Sequence, residues 1–502
     1  MRNRRSLAVG LTGILALVAS LQSPAFPQAA GPGGAPAPAP DINPPVANCN
    51  PKTDTFLDPS GEFKPTPITD ELLTLGQPCQ QRVNTKGLFG DDALANLQRG
   101  FDFYSWLTFI AMNSPADGTS IKSGKRDART KWESLDNFRP LADVMLKDGK
   151  QPTWGTREVP EPCKQFRDTG QIIFQLGEEA FNQPFKTGPL IDQDGNYALF
   201  DILMNKPMFD YILTKKLFNK QGQEKFTEEI VFPSGNNPGT GANTEPGRMG
   251  AIMLKVSYRI LDREKNKDLI DQFHTRDALI YFPGGKETTG TGTKVGPACV
   301  EKTIGLIGFH VGHKTRFASQ WVWTSFEHAS NVPDVEDVGT PNIRRPYNFF
   351  NPDCKDCLVN EIPPKPWDPP ISLQYPTSFR SQVVRVNMLP AEVRKEIADL
   401  NKSFRALLSG TVWENYMLLA TQWPSDTFSK TDPTGAPAPT YLANSTLETF
   451  SQGKVALASS SCMACHGNAV SYQLDRSAKI VDGKGFNQSD FTFILEKAQR
   501  TP

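Results

Sequence analysis

Beyond its first two dozen residues the chain has no apolar run near the roughly 20 residues needed to cross a bilayer, so no transmembrane segment is expected in the mature chain. It also lacks a charge excess, with 54 basic and 54 acidic residues. Loss of the N-terminal leader, which carries Arg2, Arg4 and Arg5, would leave a slight acidic surplus. Nucleic acid is bound through a clear surplus of Lys and Arg, so it is excluded as a partner. No internal repeat recurs, which argues against a solenoid.

What is present begins with an address. The basic start runs into an apolar stretch over residues 7–21 and then into small residues, the pattern of a secretory signal peptide over 1–25. The Ala/Pro/Gly-rich stretch 26–45 has no apolar periodicity and reads as a linker. An α+β fold is expected beyond it. Residues 46–165 read as a helical N-terminal unit, because Leu97, Phe101, Tyr104 and Leu107 recur near the helical period in an amphipathic helix over 93–111. Residues 166–345 carry short β-rich runs at 197–203, 251–261, 278–282, 303–311 and 321–326, the pattern of an antiparallel body, with a helical insertion at 208–217. Eight prolines between 346 and 376 mark a connector over 346–385. A helical C-terminal region, 386–502, opens with a helix behind Pro390 that Gly410 stops. A last helix is expected to start near Ser445, with Glu448 at capping-box spacing.

The chemistry lies in the string CMACH. Two thiols spaced by two residues can add across the two vinyl groups of haem, and the adjacent histidine can turn under the ring to ligate iron. Cys462 and Cys465 are therefore the candidates for covalent attachment of one haem c, and His466 for the proximal iron ligand. A zinc site would need four ligands, and no partner motif completes a usual spacing. The other six cysteines, Cys49, Cys79, Cys163, Cys299, Cys354 and Cys357, are expected to form disulfides in an exported chain, with no pairing selected by their spacing. Cys354 and Cys357 lack a following histidine and sit among prolines, which favours a loop staple over a redox pair.

A small cytochrome c domain usually draws its second axial ligand from a methionine downstream. The 36 residues after His466 hold neither Met nor His. Either the iron keeps an open position or the upstream body supplies a ligand, with His310, His313, His328 and Met417 as candidates. If 307–315 is a strand, His310 and His313 face opposite ways and cannot clamp one metal together.

The strings FDFYSWLTFIAMNSP, MGAIMLKVSYRIL, GFHVGHKT, QWVWTSFEHASNVP, GTVWENYMLLATQWP and SSCMACHG resemble those of exported bacterial monohaem cytochrome c family proteins with a C-terminal CxxCH. The resemblance touches most of residues 100–470 and implies a cytochrome c-like haem-binding C-terminal region, in the periplasm or secreted. Electron transfer is the first expectation, with a redox protein or a small-molecule electron donor or acceptor as partner. A haem oxidoreductase with an open distal site (oxygenase, peroxidase or substrate dehydrogenase) and a haem-based sensor or ligand-binding protein are the alternatives.

Overall fold

The computed structural model describes residues 49, 67–79, 91–166, 172–235, 248–284, 296–315, 318–343, 346–424, 437–453, 460–472 and 489–502. The expected signal peptide and linker lie outside the described residues. Residues 43–502 form one compact unit. Among the described residues no helix is long and apolar enough to cross a membrane.

The fold is α+β. Among the described residues six α-helices, α1 (Asp91–Asn113), α2 (Glu178–Phe181), α3 (Lys206–Thr214), α4 (Lys220–Lys225), α5 (Ala391–Leu407) and α6 (Cys462–His466), accompany nine strands. The strands are β1 (Phe138–Pro140), β2 (Ile172–Gln175), β3 (Leu199–Asn205), β4 (Ile252–Leu261), β5 (Thr275–Phe282), β6 (Ala298–Thr315), β7 (Ala318–His328), β8 (Tyr416–Pro424) and β9 (Pro437–Ala438). They form one sheet in the order β1-β3-β4-β6-β7-β8-β9. Strand β6 is its spine. One edge of β6 pairs with β4; the other carries β5 along residues 298–305 and β7 along 308–315. Pairing is antiparallel except between β2 and β5.

Helix α1 forms where the apolar period places it, but from Gly100 to Asn113 it leaves no face exposed. Its polar residues Gln98, Asp102, Ser105 and Thr108 are buried as deeply as Phe101 and Trp106. β8 satisfies three of them: Gln98 donates to the Thr421 carbonyl at 2.8 Å, Asp102 accepts from the Thr421 amide at 2.8 Å, and the Ser105 hydroxyl lies 2.6 Å from that of Thr421; the Thr108 hydroxyl accepts from the Gln77 side-chain amide at 3.2 Å. Each buried polar group thus has a partner, the condition for burying it at tolerable cost. After α1 the chain turns irregular and enters the sheet as β1, so among the described residues 67–166 α1 is the one α-helix.

The C-terminal region also departs from a helical expectation. Residues 416–424 form β8, which pairs along β7 with Trp323 opposite Gln422, and so satisfy the hydrogen-bonding edge that β7 would otherwise expose. Near Ser445 the chain makes a turn and a short 3-10 segment, Thr449–Ser451, instead of a long helix. The capping is displaced by one residue: the Glu448 carboxylate accepts from the Asn444 amide, while the Ser445 hydroxyl is taken by Glu327.

The two faces of the sheet have different covers. On one, Leu254, Val256, Phe309, Val311 and Phe326 pack beneath α1 and α5, where Trp106 stacks on Phe404 at 5.0 Å and Phe109 on Phe326 at 4.2 Å. On the other, Met204, Met253, Trp321 and Trp323 meet α3 and the C-terminal residues Met463, Phe491, Ile494 and Leu495. The cysteines pair as Cys49–Cys79, Cys163–Cys299 and Cys354–Cys357.

Gly308 of β6 lies on this second face under Thr446. A Cβ there would strike the hydroxyl oxygens of Ser257 and Thr446, so only glycine lets the C-terminal chain lie against the strand. Gly308→Val should lower unfolding free energy by about 2 kcal/mol, read as a reduced urea midpoint. An unchanged midpoint would mean the contact is not tight.

Candidate functional site

Helix α6 spans only CMACH, and its position is set by neighbours more than by its own five residues. The Ser461 hydroxyl accepts from the Ala464 amide, a normal N-cap. Gln422 of β8 then holds the entry: its side-chain oxygen accepts from the Met463 amide at 2.8 Å and from the Ser461 hydroxyl at 3.2 Å. Met463 is fully buried against the second face, which turns Cys462, Cys465 and His466 toward partly open space.

Cys462 and Cys465 are unbridged, whereas Cys354 and Cys357, at the same spacing, are joined. Burial, reinforced by the charge of Glu448, pushes the Cys462 thiol well above its ordinary value and that of Cys465 up to about 12. Both are therefore protonated at neutral pH and unsuited to thiolate redox chemistry.

The His466 Nδ1 lies 2.8 Å from the Phe491 carbonyl oxygen. A carbonyl only accepts, so Nδ1 carries the proton and Nε2 keeps its lone pair for a metal. Burial lowers the imidazole to about 4, so it is neutral at pH 7. Its ring sits between Trp323, at 4.4 Å, and Phe493, at 5.1 Å. Among the described residues Nε2 has no hydrogen-bond partner, and no group of three or more His, Cys, Asp or Glu is arranged to hold a bare metal ion. A porphyrin brings four nitrogen ligands of its own, so one imidazole suffices for haem iron.

Strand alternation divides the distal candidates. His310 lies on the same face as α6, beside Lys255 of β4 in the sheet register. Its Nε2 is 2.9 Å from the Glu448 carboxylate. Burial by itself would raise Glu448, but the charge and hydrogen bond of His310 and the charge of Lys255 bring it down to about 2. Burial lowers Lys255, whose ammonium donates to the Leu447 carbonyl at 3.3 Å. Lys255 and Glu448 both act electrostatically on the two thiols and on His466, which places the trio beside the motif.

Met417 also reaches this neighbourhood, packing with Cys462 around Leu389, Leu419 and Leu442. His313 does not. It points to the opposite face, where its Nδ1 meets the Tyr104 hydroxyl. His328 is occupied as well: Nε2 donates to the Gln272 carbonyl at 3.0 Å, Nδ1 accepts from the Ser330 amide, and the ring stacks on Phe273 at 4.2 Å.

The donor set therefore fits haem. The groove beside Cys462, lined by Met388, Leu389, Leu419, Leu442 and Ser460, measures about 30 Å³. No protein-family model, curated protein or solved structure matches the chain.

Burial brings His328 to about 3. In the unfolded chain it titrates near its ordinary value of 6.5, so between those values the unfolded state binds the extra proton and stability falls as pH drops from about 6.5. Asp102, raised to about 7 by burial, pulls the opposite way. The comparison that isolates the histidine is thus His328→Gln against the unaltered protein. The variant's stability should fall less steeply between pH 6 and 4, by about 1.4 kcal/mol per pH unit, in urea unfolding. Parallel profiles would show that His328 is not buried neutral.

Proposed function

We propose that this chain is an exported c-type cytochrome that carries one covalent haem c and transfers electrons. One observation carries the reading: the two cysteines left unbridged are those of CMACH, beside a neutral histidine whose Nε2 is unengaged. Three disulfides suit an oxidising compartment beyond the cytoplasm, periplasmic or secreted. Haem, when bound, supplies a one-electron ferric/ferrous couple.

The residues around it do the rest. Cys462 and Cys465 would tether the ring edge and His466 would offer Nε2 to the iron, with Trp323 and Phe493 packed against the imidazole. The partner is a redox protein or a small-molecule electron donor or acceptor.

A second reading, a haem oxidoreductase with an open distal site, is favoured by the His310–Glu448 pair with Lys255 alongside. A histidine held by a carboxylate can accept or return a proton at its ring, the ordinary equipment of general acid–base catalysis.

Two experiments test these readings. The Cys462→Ala, Cys465→Ala double variant should lose all haem staining on a denaturing gel; retained staining would refute covalent attachment through these thiols. Ferrous spectra with and without carbon monoxide then separate the functions. A carrier with both axial positions filled ignores the gas. Prompt binding, together with a roughly 100-fold loss of peroxide turnover in His310→Ala, would replace the carrier with the enzyme.

A further inference from the structure

The turn that holds the proximal histidine is itself clamped. Phe491, whose carbonyl receives the His466 Nδ1 proton, has φ +63°, and Asp490 before it has φ +50°. Neither is glycine, so the backbone sits in the left-handed region only because its surroundings impose it.

Four contacts impose it. The Lys314 ammonium donates to Asp490 Oδ1 at 2.5 Å, the Phe232 amide donates to Oδ2 at 2.7 Å, and the Trp321 indole donates to the Asp490 carbonyl at 3.0 Å. The Ser489 amide ties the start of the turn to the Ala469 carbonyl, three residues beyond His466. Lys314 comes from β6 and lies on the same face of the sheet as His310. The side chains of Lys314 and Asp490 are 4% and 7% exposed.

Burying such a pair is a poor route to stability, because desolvation of both charges offsets much of their attraction. What the pair does accomplish is geometric. It anchors the second face of the sheet to the residue preceding the acceptor of the Nδ1 proton.

We propose that the Lys314–Asp490 ion pair is a positioning device for the proximal histidine, holding the left-handed turn that aims the Phe491 carbonyl at His466 Nδ1. The proposal rests on the c-type reading for its redox consequence. A strong acceptor at Nδ1 makes the imidazole a better electron donor, which favours the ferric state and lowers the reduction potential. Weakening the clamp weakens that bond and raises the potential. Lys314 and Asp490 touch neither the iron nor a substrate; they act through Phe491.

The test uses holoprotein carrying Asp490→Asn, Lys314→Met, or both. Three readouts are taken: covalent haem on a denaturing gel, reduction potential, and exchange of the His466 Nδ1 proton by nitrogen-15 NMR. Each single variant should keep its haem, exchange this proton roughly tenfold faster and shift to higher potential. The double variant should go no further than the singles, because both remove one interaction. Haem-loaded single variants with unchanged exchange and potential would overturn the proposal, as would additive shifts in the double variant. Should these variants fail to fold, Trp321→Phe removes the indole donor to the Asp490 carbonyl while keeping both charges of the pair, and must move both readouts the same way; no movement overturns the proposal. Absence of covalent haem from the unaltered protein would sink the c-type reading separately, and the Nδ1 exchange comparison would still decide the clamp.

Discussion

Strand β6 runs eighteen residues through the middle of the sheet, and its period-two alternation decides what each face can do. Phe309, Val311 and His313 point toward α1 and belong to the packed interior. Gly308, His310, Gly312 and Lys314 point the other way. On that face the glycines make room: Thr446 lies against Gly308, and Met253 and Trp323 lie against Gly312. The two long polar side chains between and beyond them reach Glu448 and Asp490. A one-residue slip of β6 would exchange these sets and dismantle both the core and the surroundings of CMACH.

Charge is distributed accordingly. The face bearing α6 holds Lys255, His310, Lys314 and Glu327, each matched to a partner brought in by a later segment of chain: Leu447, Glu448, Asp490 and Arg385. Arg385 meets Glu327, which also receives the Ser445 hydroxyl, so the Pro-rich connector and the C-terminal cover are fastened at one carboxylate. Such pairs contribute more to register than to net stability. They determine where the chain around CMACH comes to rest, which five helical residues could not do alone.

Much of this architecture can be read from local pattern. The apolar period places α1, Pro390 and Gly410 bracket α5, and the β-rich runs locate β4 to β7 within a few residues. The short helix α6 gathers Cys462, Cys465 and His466 because they are contiguous in the sequence. The burial of α1 from Gly100 to Asn113 is not legible, since its polar side chains look solvent-bound until Thr421 and Thr324 arrive from strands far along the chain. The same holds for Glu448, whose spacing suggests a helix cap and whose carboxylate also holds His310, 138 residues away. Asp490 and Lys314 carry no local signal at all. His313 and His328 illustrate the converse: histidines close in sequence to His310 are separated from it by strand alternation and by prior hydrogen bonds.

The central claim is that CMACH carries one covalent haem in the exported chain. Intact-mass analysis of protein purified from an exporting, haem-attaching host, followed by mapping of the peptide that contains 460–472, tests it most directly. The account predicts a mass gain of one haem per chain, located on that peptide. A mature chain of unmodified mass, or haem released by acid extraction, would contradict it.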